Sequence, residues 1–344
     1  MLDIHQLRVL SEIARVGSYT EAAKSLGYSQ PALSYHMRCL ERTLGVPLTV
    51  KVGRRAQLTD AAVRLAERAD AVLGGLRAVE QEFKALAAEP SGTVRLSAIQ
   101  SACTALVPGA MSRLRSTYPA VETVINQATC TGSYRLLRSG QTDLAIMCDL
   151  DSPAQTHQSV ASSPGLLRVP LLTDRRCVLL PSDHPLAERP TLALADLCNE
   201  RWVLEPNRTR FLAGCAEAGF TPKVVATADE HVTVHCLVAG HVGVAAADAL
   251  GLLSQHDARV VVRPLDDWPV RHVFALLWPE MAKVPAVAAL LEAMRAEVKE
   301  RFFTAGEHGD PQAGSLAGLV TSAPETTEAS DAVETANGVE TAAP

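Results

Sequence analysis

The chain has 344 residues, a length that predicts two or three domains. Apolar residues make up 47% and charged residues 20%, which is enough for a sizeable core and excludes a wholly disordered or collagen-like protein. The net charge of −6 is unevenly distributed. Residues 305–344 hold seven acidic residues and no Lys or Arg, whereas residues 24–55 hold six basic residues and one acidic residue. This basic N-terminal unit predicts a polyanionic partner.

The eight cysteines are widely spaced and form no Cys-x-x-Cys pair, a pattern typical of reduced thiols in the cytoplasm. The N-terminus has neither the basic region nor the apolar run of a signal peptide. The most apolar long segment, residues 232–253, is interrupted by His235, His241 and Asp248. We therefore expect a cytoplasmic protein with no membrane span.

The first sixty residues predict three short helices. Apolar residues at helical spacing form a first helix that ends near Gly17. Residues 18–21, Ser-Tyr-Thr-Glu, form a capping box for a second helix, which ends at Gly27. Pro31 fits the first turn of a third helix, which ends at Gly45. The second and third helices, joined by a glycine-containing turn, predict a helix-turn-helix.

The third helix leaves a polar and basic face toward solvent, which suits the major groove of DNA. Glutamine can bond adenine at two atoms, serine can bond any base, and arginine can bond guanine or phosphate. Short β runs at 48–50 and 56–58 enclose two arginines and predict a hairpin wing. The predicted DNA contacts are Ser29, Gln30, Pro31, Ser34, Tyr35, Arg38, Arg54 and Arg55. A three-helix core with solvated charges is the alternative interpretation.

The run Ala22–Ser34, with the sequence AAKSLGYSQPALS, resembles the DNA-binding domain of LysR-type transcriptional regulators. The resemblance continues through Gly53-Arg54-Arg55 and Leu58-Thr59. Tyr35 stands where many members carry Arg, and Thr49 stands where many carry Phe. The resemblance implies an all-α winged helix-turn-helix that binds double-stranded DNA.

Residues 59–88 contain no proline and predict one long helix with Thr59 as its N-cap. Apolar residues recur along it at alternating spacings of four and three: Leu65, Ala69, Val72, Leu76, Val79, Phe83 and Leu86. This heptad seam is typical of a coiled coil, and the resemblance implies that the helix pairs two subunits. The alternative is an amphipathic helix packed on its own domain. Gly74-Gly75 is expected to weaken or bend it.

Downstream, strand-like and helix-like segments alternate in β-α-β-α-β order, which predicts a parallel sheet covered by helices. The pattern restarts near residue 177, and crossover segments near 148–170 and 265–275 predict two lobes with a cleft between them. Segments 137–146, 181–186 and 238–244 also resemble the LysR-type regulators. The resemblance implies an α/β two-lobed, periplasmic-binding-protein-like effector domain.

We predict five regions from these patterns. They are a winged helix-turn-helix in 1–59, a linker helix and hinge in 60–90, a first lobe in 91–165 and 270–304, a second lobe in 166–269, and a disordered acidic tail in 305–344. The tail has no helical or strand pattern. It is expected to be a solubilising end, and an interaction arm or a mimic of DNA charge are the alternatives.

Ligands of parallel sheets bind at the carboxyl ends of strands, and amides at helix N-termini favour anionic groups. The turns in those positions contain the predicted effector contacts Ile99, Gln100, Ser101, Thr129, Cys130, Asn207 and Arg208. By position these residues resemble the effector contacts of the family. Arg208 can pair a carboxylate at two points, so a small anionic metabolite is the expected effector. The alternative is that the hydroxyls cap helices and Arg208 is a solvated charge.

No dinucleotide-binding, P-loop, zinc-protease or serine-hydrolase motif is found, so we expect a regulator without a cofactor rather than an enzyme. The residues His231, His235, Cys236 and His241 form the one cluster with metal-ligand residue types, and ordinary helix positions explain them better than a metal. The sequence thus predicts a homo-oligomeric regulator, a dimer or tetramer, with RNA polymerase as a further partner. A thiol- or metal-responsive regulator of the same architecture and an effector-independent DNA-coating protein remain alternatives.

Overall fold

A computed structural model of the chain describes residues 1–52, 55–85, 90–150, 165–206, 209–254, 257–303 and 316–322. The N-terminal elements are α1 (Ile4–Val16), α2 (Tyr19–Leu26), α3 (Gln30–Leu44), β1 (Thr49–Val52), β2 (Arg55–Leu58) and the long helix α4 (Asp60–Ala85). The predicted winged helix-turn-helix is confirmed, since three helices precede an antiparallel hairpin in which Thr49 pairs with Leu58.

Local signals define the first three helices. Each begins at a polar residue whose side-chain oxygen accepts a hydrogen bond from an amide of the first turn, and these residues are Asp3, Ser18 and Ser29. Each ends at a glycine with a left-handed backbone, where φ is 67° at Gly17 and 70° at Gly27. The helices enclose a small apolar core that includes Leu10, Leu33 and Leu40, all fully buried.

Helix α4 links this core to the rest of the chain. Ala62, Ala66 and Ala69 lie on its first turns and are at most 4% exposed, because they pack into the N-terminal core. Further along, Gly74 faces the indole ring of Trp278, and a Cβ at Gly74 would lie 3.0 Å from that ring. Gly74 therefore allows a close contact between α4 and the C-terminal region.

The C-terminal region alternates strands and helices. Its first half contains β3 (Gly92–Ala98), α5 (Gln100–Ala105), α6 (Val107–Thr117), β4 (Val121–Gln127), α7 (Cys130–Arg138), β5 (Leu144–Leu150) and β6 (Leu167–Asp174). Its second half contains β7 (Arg176–Pro181), β8 (Arg201–Leu204), α8 (Thr209–Glu217), β9 (Lys223–Thr227), α9 (His231–Ala239), β10 (Val244–Asp248), α10 (Ala249–Leu252), β11 (Val260–Pro264), β12 (Arg271–Leu277), α11 (Pro285–Val298) and β13 (Val320–Ser322).

These strands form two sheets, which are the centres of two lobes. The first is six-stranded in the order β13-β6-β12-β5-β3-β4, and the second is five-stranded in the order β11-β7-β10-β8-β9. Strand β3 pairs in parallel with β4 and β5, and β8 pairs in parallel with β9 and β10. The predicted two-lobed α/β architecture is thereby confirmed.

The boundary between the lobes differs from the prediction. Strand β6 pairs with β12 in the first sheet, so the chain crosses to the second lobe at Arg175, between Asp174 and Arg176, and not near 165. The sequence pattern hid β6 because Arg168 and Pro170 interrupt its apolar run. The return crossover lies between β11 and β12, within the predicted segment 265–275.

The predicted disorder of the tail is wrong for residues 316–322. A short 3₁₀ helix (Leu316–Leu319) leads into β13, which pairs antiparallel with β6. Val320 is fully buried, and the Oγ1 atoms of Thr321 and Thr173 lie 2.7 Å apart. The amide of Arg175 donates to the carbonyl of Leu319 at 3.2 Å. The edge of β6 provides the backbone hydrogen-bonding partner for this short apolar segment.

We predict that Val320→Asp releases this segment from the sheet. A carboxylate cannot be buried without a partner, and the edge strand can detach while the rest of the lobe stays folded. Amide hydrogen exchange should show loss of protection at Arg175 and in residues 316–322. Thr321→Ala is the control, because Thr321 is exposed and its loss removes one hydrogen bond worth about 1 kcal/mol. Unchanged protection at Arg175 in the Val320→Asp protein would contradict the pairing.

A second prediction concerns the two glycines of α4. At Gly75 no neighbouring atom lies within 4 Å of the position that an added methyl group would take, so Gly75→Ala should raise the free energy of unfolding by about 0.5–1 kcal/mol through helix propensity. Gly74→Ala should give no such gain, because its methyl group would press on Trp278. Urea unfolding followed by circular dichroism measures both effects. Equal stabilisation by the two substitutions would exclude the close approach at Gly74.

Candidate nucleic-acid interface and inter-lobe cavity

Helix α3 presents one polar face to solvent. Leu33, Met37 and Leu40 point into the N-terminal core. On the other side Gln30 and Arg38 are exposed, and Tyr35 is 57% exposed. Ser29 and Pro31 are exposed at the N-terminal end of the helix, and Ser34 is half-buried. The structure therefore brings the predicted residues of α3 together on one accessible surface.

A groove of about 600 Å³ lies between the start of α2 and this face, with Thr20, Gln30, Ser34 and Arg38 among its walls. The Ser34 hydroxyl donates to the carbonyl of Gln30 at 3.1 Å. The Ser29 hydroxyl accepts from the amide of Ala32 at 3.4 Å. These two serines thus have structural bonds, and Gln30 and Arg38 are long polar side chains in the wall of this groove.

The acidic side chain of α3, Glu41, is turned toward the wing. One of its carboxylate oxygens accepts from the amide of Leu48 at 2.8 Å and from both the amide and the hydroxyl of Thr49 at 3.0 Å. This contact fixes the hairpin against α3, and Thr49 takes part in it through a hydroxyl that Phe would lack.

The predicted contacts in the wing are Arg54 and Arg55. Arg54 lies outside the described residues. Arg55 begins β2, but its side chain also lies outside the described part of the chain. The backbone of the hairpin nevertheless places the start of the wing beside α3, because Leu48 and Thr49 bond to Glu41.

The predicted seam on α4 divides into two parts. Leu65 packs against the N-terminal core of the same chain, and Ala69 is buried in it. The other four residues are exposed by 39–68% and form an apolar stripe: Val72, Leu76, Val79 and Phe83. Leu86 lies outside the described residues. Four large apolar side chains at spacings of four and three residues are therefore accessible to a partner helix.

A cavity of about 860 Å³ lies between the two lobes, and we call it the inter-lobe cavity. Its walls come from strand ends of both sheets and from α8. Charged and aromatic side chains dominate them, including Asp149, Arg176, Glu205, Arg210, Phe211, Asp248, Trp268 and Arg271. Its volume is within the range of small-molecule sites in proteins.

A buried ionic network forms one wall of the cavity. The guanidinium of Arg271 donates to both carboxylate oxygens of Asp174, at 2.7 and 2.6 Å, and lies 3.0 Å from Asp248. Arg176 lies 3.2 Å from the same Asp248 carboxylate. Arg271 also donates to the hydroxyl of Ser101 at 3.2 Å. This last contact joins a predicted effector residue to the cavity wall.

The network sets the charge states around it. Burial alone would raise the pKa of Asp248, but the guanidinium groups of Arg271 and Arg176 hold that pKa below its ordinary value. Burial raises the pKa of Glu205, because the nearby Arg176 offsets it only in part. Burial also lowers the pKa of Arg210. The wall therefore combines paired carboxylates with one guanidinium, that of Arg210, whose desolvation is incompletely compensated.

Three hydrogen-bond donors in the cavity wall are buried without an acceptor among the described residues. They are the Nε atoms of Arg176 and Arg210 and the indole Nε1 of Trp268. Buried N–H groups are almost always bonded, so these donors are available to an acceptor that the described residues do not supply. An anionic or carbonyl-bearing ligand would provide it.

The other predicted effector residues have varied positions. Ile99 is buried at the N-terminus of α5, and Gln100 is the first residue of that helix. Thr129 caps α7 by accepting from the amide of Gly132 at 3.2 Å. Cys130 contacts Cys148, which lines the cavity. Asn207 and Arg208 lie outside the described residues.

Sequence reasoning missed the residues of the ionic network. Arg176 and Arg271 each open an apolar strand, and Asp174 and Asp248 each end one. A charged residue at the boundary of a buried strand, beside a predicted crossover, was the available signal. Its partners could not be identified, because Asp174 and Arg271 are 97 residues apart in sequence.

The described residues contain no group of three or more His, Cys, Asp or Glu side chains placed to hold a metal ion. Two histidines of the predicted His/Cys cluster have structural contacts. The Nδ1 atom of His235 lies 3.0 Å from the carbonyl oxygen of His231, and the ring of His231 packs against Gly251. No helix in the described ranges is long and apolar enough to cross a membrane.

Two family models match the chain. The model described as "Bacterial regulatory helix-turn-helix protein, lysR family" matches residues 4–63, and the "LysR substrate binding domain" model matches residues 87–299. The uncharacterized HTH-type transcriptional regulator YybE of Bacillus subtilis is 26% identical over 307 residues, which cover 88% of this chain and 97% of that protein. The small neutral protease regulatory protein of Streptomyces coelicolor is 33% identical over 208 residues, 60% of each chain.

Solved structures share the fold. A full-length OxyR variant from Pseudomonas aeruginosa has a TM-score of 0.64 at 21% identity and covers 95% of this chain and 99% of its own. Full-length BenM has a TM-score of 0.52 at 21% identity and covers 90% of this chain and 100% of its own. The substrate-binding-domain model alone covers more than half of the chain, and the DNA-binding model matches a separate N-terminal segment. The chain belongs to the LysR family of transcriptional regulators: it is a DNA-binding regulator with an effector-binding domain, and not an enzyme.

Proposed function

We propose that this regulator binds its operator through α3 as a homo-oligomer and responds to a small anionic effector in the inter-lobe cavity. The observation that carries the effector assignment is the set of three buried donors without an acceptor among the described residues, on Arg176, Arg210 and Trp268. The family assignment supports the DNA-binding part, and the exposed face of α3 supports the choice of residues.

For DNA, Gln30 and Arg38 have the length and the exposure to reach base edges from a helix in the major groove. Ser34 and Tyr35 lie beside them, and Ser29 and Pro31 stand at the helix N-terminus, where free amides and the helix dipole favour a phosphate. Arg54 and Arg55, on the wing, would contact phosphates. Phosphate contacts position the helix, and base contacts provide sequence preference.

For self-association, the apolar stripe on α4 supports pairing of two chains. Val72, Leu76, Val79 and Phe83 leave a large apolar surface in water, and a second α4 would bury it. Dimers or tetramers built this way present recognition helices in pairs, and half-sites would then lie one helical turn of DNA apart, or a multiple of that distance.

For the effector, the cavity suits a small molecule with a carboxylate or a similar acceptor group. Arg210 and Arg176 lie within 6.0 Å of the Trp268 ring, and Phe211 lies 5.7 Å from the same ring. The site thus combines cationic donors with an aromatic surface. Because it lies between two lobes, an effector that binds one lobe arrangement better than another shifts the equilibrium toward that arrangement.

The contact between α4 and the effector domain supplies a route from the cavity to DNA. Arg138 donates to the carbonyl of Glu67 on α4 at 2.8 Å, and its guanidinium lies 5.5 Å from the centre of the Trp278 ring, which itself contacts Gly74. A change in lobe arrangement would alter the angle between DNA-binding units, and with it DNA bending and contact with RNA polymerase.

We predict that Gln30→Ala changes sequence preference. Loss of a base contact should remove about 1–3 kcal/mol of discrimination at one base pair and leave binding to unrelated DNA nearly unchanged. Sequencing of DNA fragments retained from a random library, followed by titration of selected duplexes at fixed salt, measures both quantities.

The matched control for this experiment is Arg295→Ala, which removes an exposed arginine of α11 far along the chain from α3. It should retain both affinity and preference. If Gln30→Ala lowered affinity equally for all duplexes, the assignment of Gln30 to base recognition would be wrong.

We also predict that carboxylates stabilise the protein through Arg210. A panel of small carboxylates is compared with the corresponding amides by thermal unfolding. A ligand at one hundred times its Kd adds about 2.7 kcal/mol to the free energy of unfolding. Arg210→Met should weaken the binding of the best carboxylate at least tenfold, or about 1.4 kcal/mol.

Arg189→Met is the control, because Arg189 is an exposed arginine of the same lobe that pairs with Asp196 at 2.9 Å. It should bind the carboxylate like the unchanged protein. The assignment of an anionic effector would be wrong if carboxylates and their amides stabilised the protein equally. It would also be wrong if the Arg210→Met protein bound the best carboxylate as tightly as the unchanged protein.

A further inference from the structure

Two cysteines of the first lobe lie side by side. Cys130 is the first residue of α7, and Cys148 lies on β5. Their Sγ atoms are 3.5 Å apart, and the Sγ of Cys130 lies 3.6 Å from the carbonyl oxygen of Cys148. A disulfide needs an S–S distance of about 2.0 Å, so both residues are free thiols close enough to join after small side-chain rotations.

The surroundings of the pair favour one thiolate. The hydrogen bond from Cys148 lowers the pKa of Cys130 to about 7, against the effect of burial, and the guanidinium of Arg271 acts in the same direction. The same hydrogen bond and burial raise the pKa of Cys148 well above its ordinary value. The carboxylates of Asp149 and Asp248 oppose ionisation. One sulfur is thus a nucleophile and the other holds a proton beside it.

Three other thiols of the described chain have raised pKa values. Burial raises the pKa of Cys177 to about 12 and that of Cys215 to about 11. Burial also raises the pKa of Cys103. These three thiols stay protonated near neutral pH, and a protonated thiol is a poor nucleophile.

The pair can be reached by small solutes. Both cysteines are half-buried, and Cys148 lines the inter-lobe cavity. The guanidinium of Arg271 disfavours a metal cation here, and within the described ranges no third His, Cys, Asp or Glu completes a metal site. A thiolate beside a second thiol can be oxidised to a disulfide.

We propose that Cys130 and Cys148 form a reversible dithiol–disulfide site that is oxidised by hydroperoxides. This goes beyond the proposed effector function, and it does not depend on the effector. The Cys130 thiolate attacks the terminal oxygen of the hydroperoxide, the O–O bond breaks, and Cys130 becomes a sulfenic acid. The departing alkoxide, or hydroxide in the case of hydrogen peroxide, takes the Cys148 proton.

The second step forms the S–S bond. The Cys148 thiolate attacks the sulfenic sulfur of Cys130 and expels hydroxide. The two sulfurs lose two electrons in total, which reduce the peroxide to an alcohol or water and a hydroxide ion. A dithiol reductant reverses the reaction by thiol–disulfide exchange. The disulfide joins the start of α7 to β5 at the cavity wall. Because the Cys130 thiolate is consumed, a negative charge near Arg271 is also lost.

The test uses hydrogen peroxide and the reduced full-length protein. After treatment with equimolar peroxide and alkylation of free thiols, digestion with trypsin without reduction gives two peptides with one cysteine each, residues 116–135 and 139–168. Mass spectrometry should find these two peptides joined as the main cross-link. Dithiothreitol should separate them, and prior unfolding in urea should lower the yield at least tenfold.

Two variants examine the steps. Cys148→Ser should let the sulfenic acid of Cys130 accumulate, so that dimedone labels residues 116–135. Cys198→Ser is the matched control, since Cys198 is an exposed cysteine of the second lobe, and it should leave the cross-link unchanged. The proposal is overturned if peroxide modifies the exposed cysteines without joining Cys130 to Cys148, or if urea leaves the cross-link yield unchanged.

Discussion

Four charged side chains meet where the chain passes between its two sheets. Asp174 ends β6, Arg176 begins β7, Asp248 ends β10 and Arg271 begins β12. Charges removed from water cost several kcal/mol each unless they are closely paired, and here guanidinium and carboxylate atoms lie 2.6–3.2 Å apart. Because each residue stands at the end of a strand, their pairing fixes how the two sheets meet. The amide of Leu250, which donates to Asp174 at 2.9 Å, joins α10 to the same point.

The position of the inter-lobe cavity follows from this network. Arg176 and Arg271 are held by carboxylates on one side and face the cavity on the other, so a ligand enters a region in which the charges are already oriented. Ser101 and the thiols of Cys130 and Cys148 lie near the guanidinium of Arg271. Effector binding and thiol oxidation would therefore act on one structural element, the crossover between the lobes.

Helix α4 has three surfaces, two of which join the DNA-binding unit to the effector domain. Its first turns belong to the N-terminal core, Gly74 rests on Trp278 of the effector domain, and the stripe from Val72 to Phe83 remains exposed. A helix with one face in each neighbouring unit transmits displacement, because close packing resists compression. The small residues at Ala66 and Gly74 make both contacts close enough for this.

The sequence by itself determined the elements whose signals are local. Caps such as Ser18, glycine ends such as Gly27 and the period of the apolar residues specify helices α1–α4. The same pattern predicts α3 as the DNA-facing helix. Alternating strands and helices also determined the two-lobed α/β class. Only the tertiary structure decided that β6 joins the first sheet, that residues 320–322 add a strand to it, and that Arg271 meets Asp174. The reason is physical: caps and periods depend on neighbours in sequence, whereas strand partners and buried ion pairs depend on residues that only the folded chain brings together.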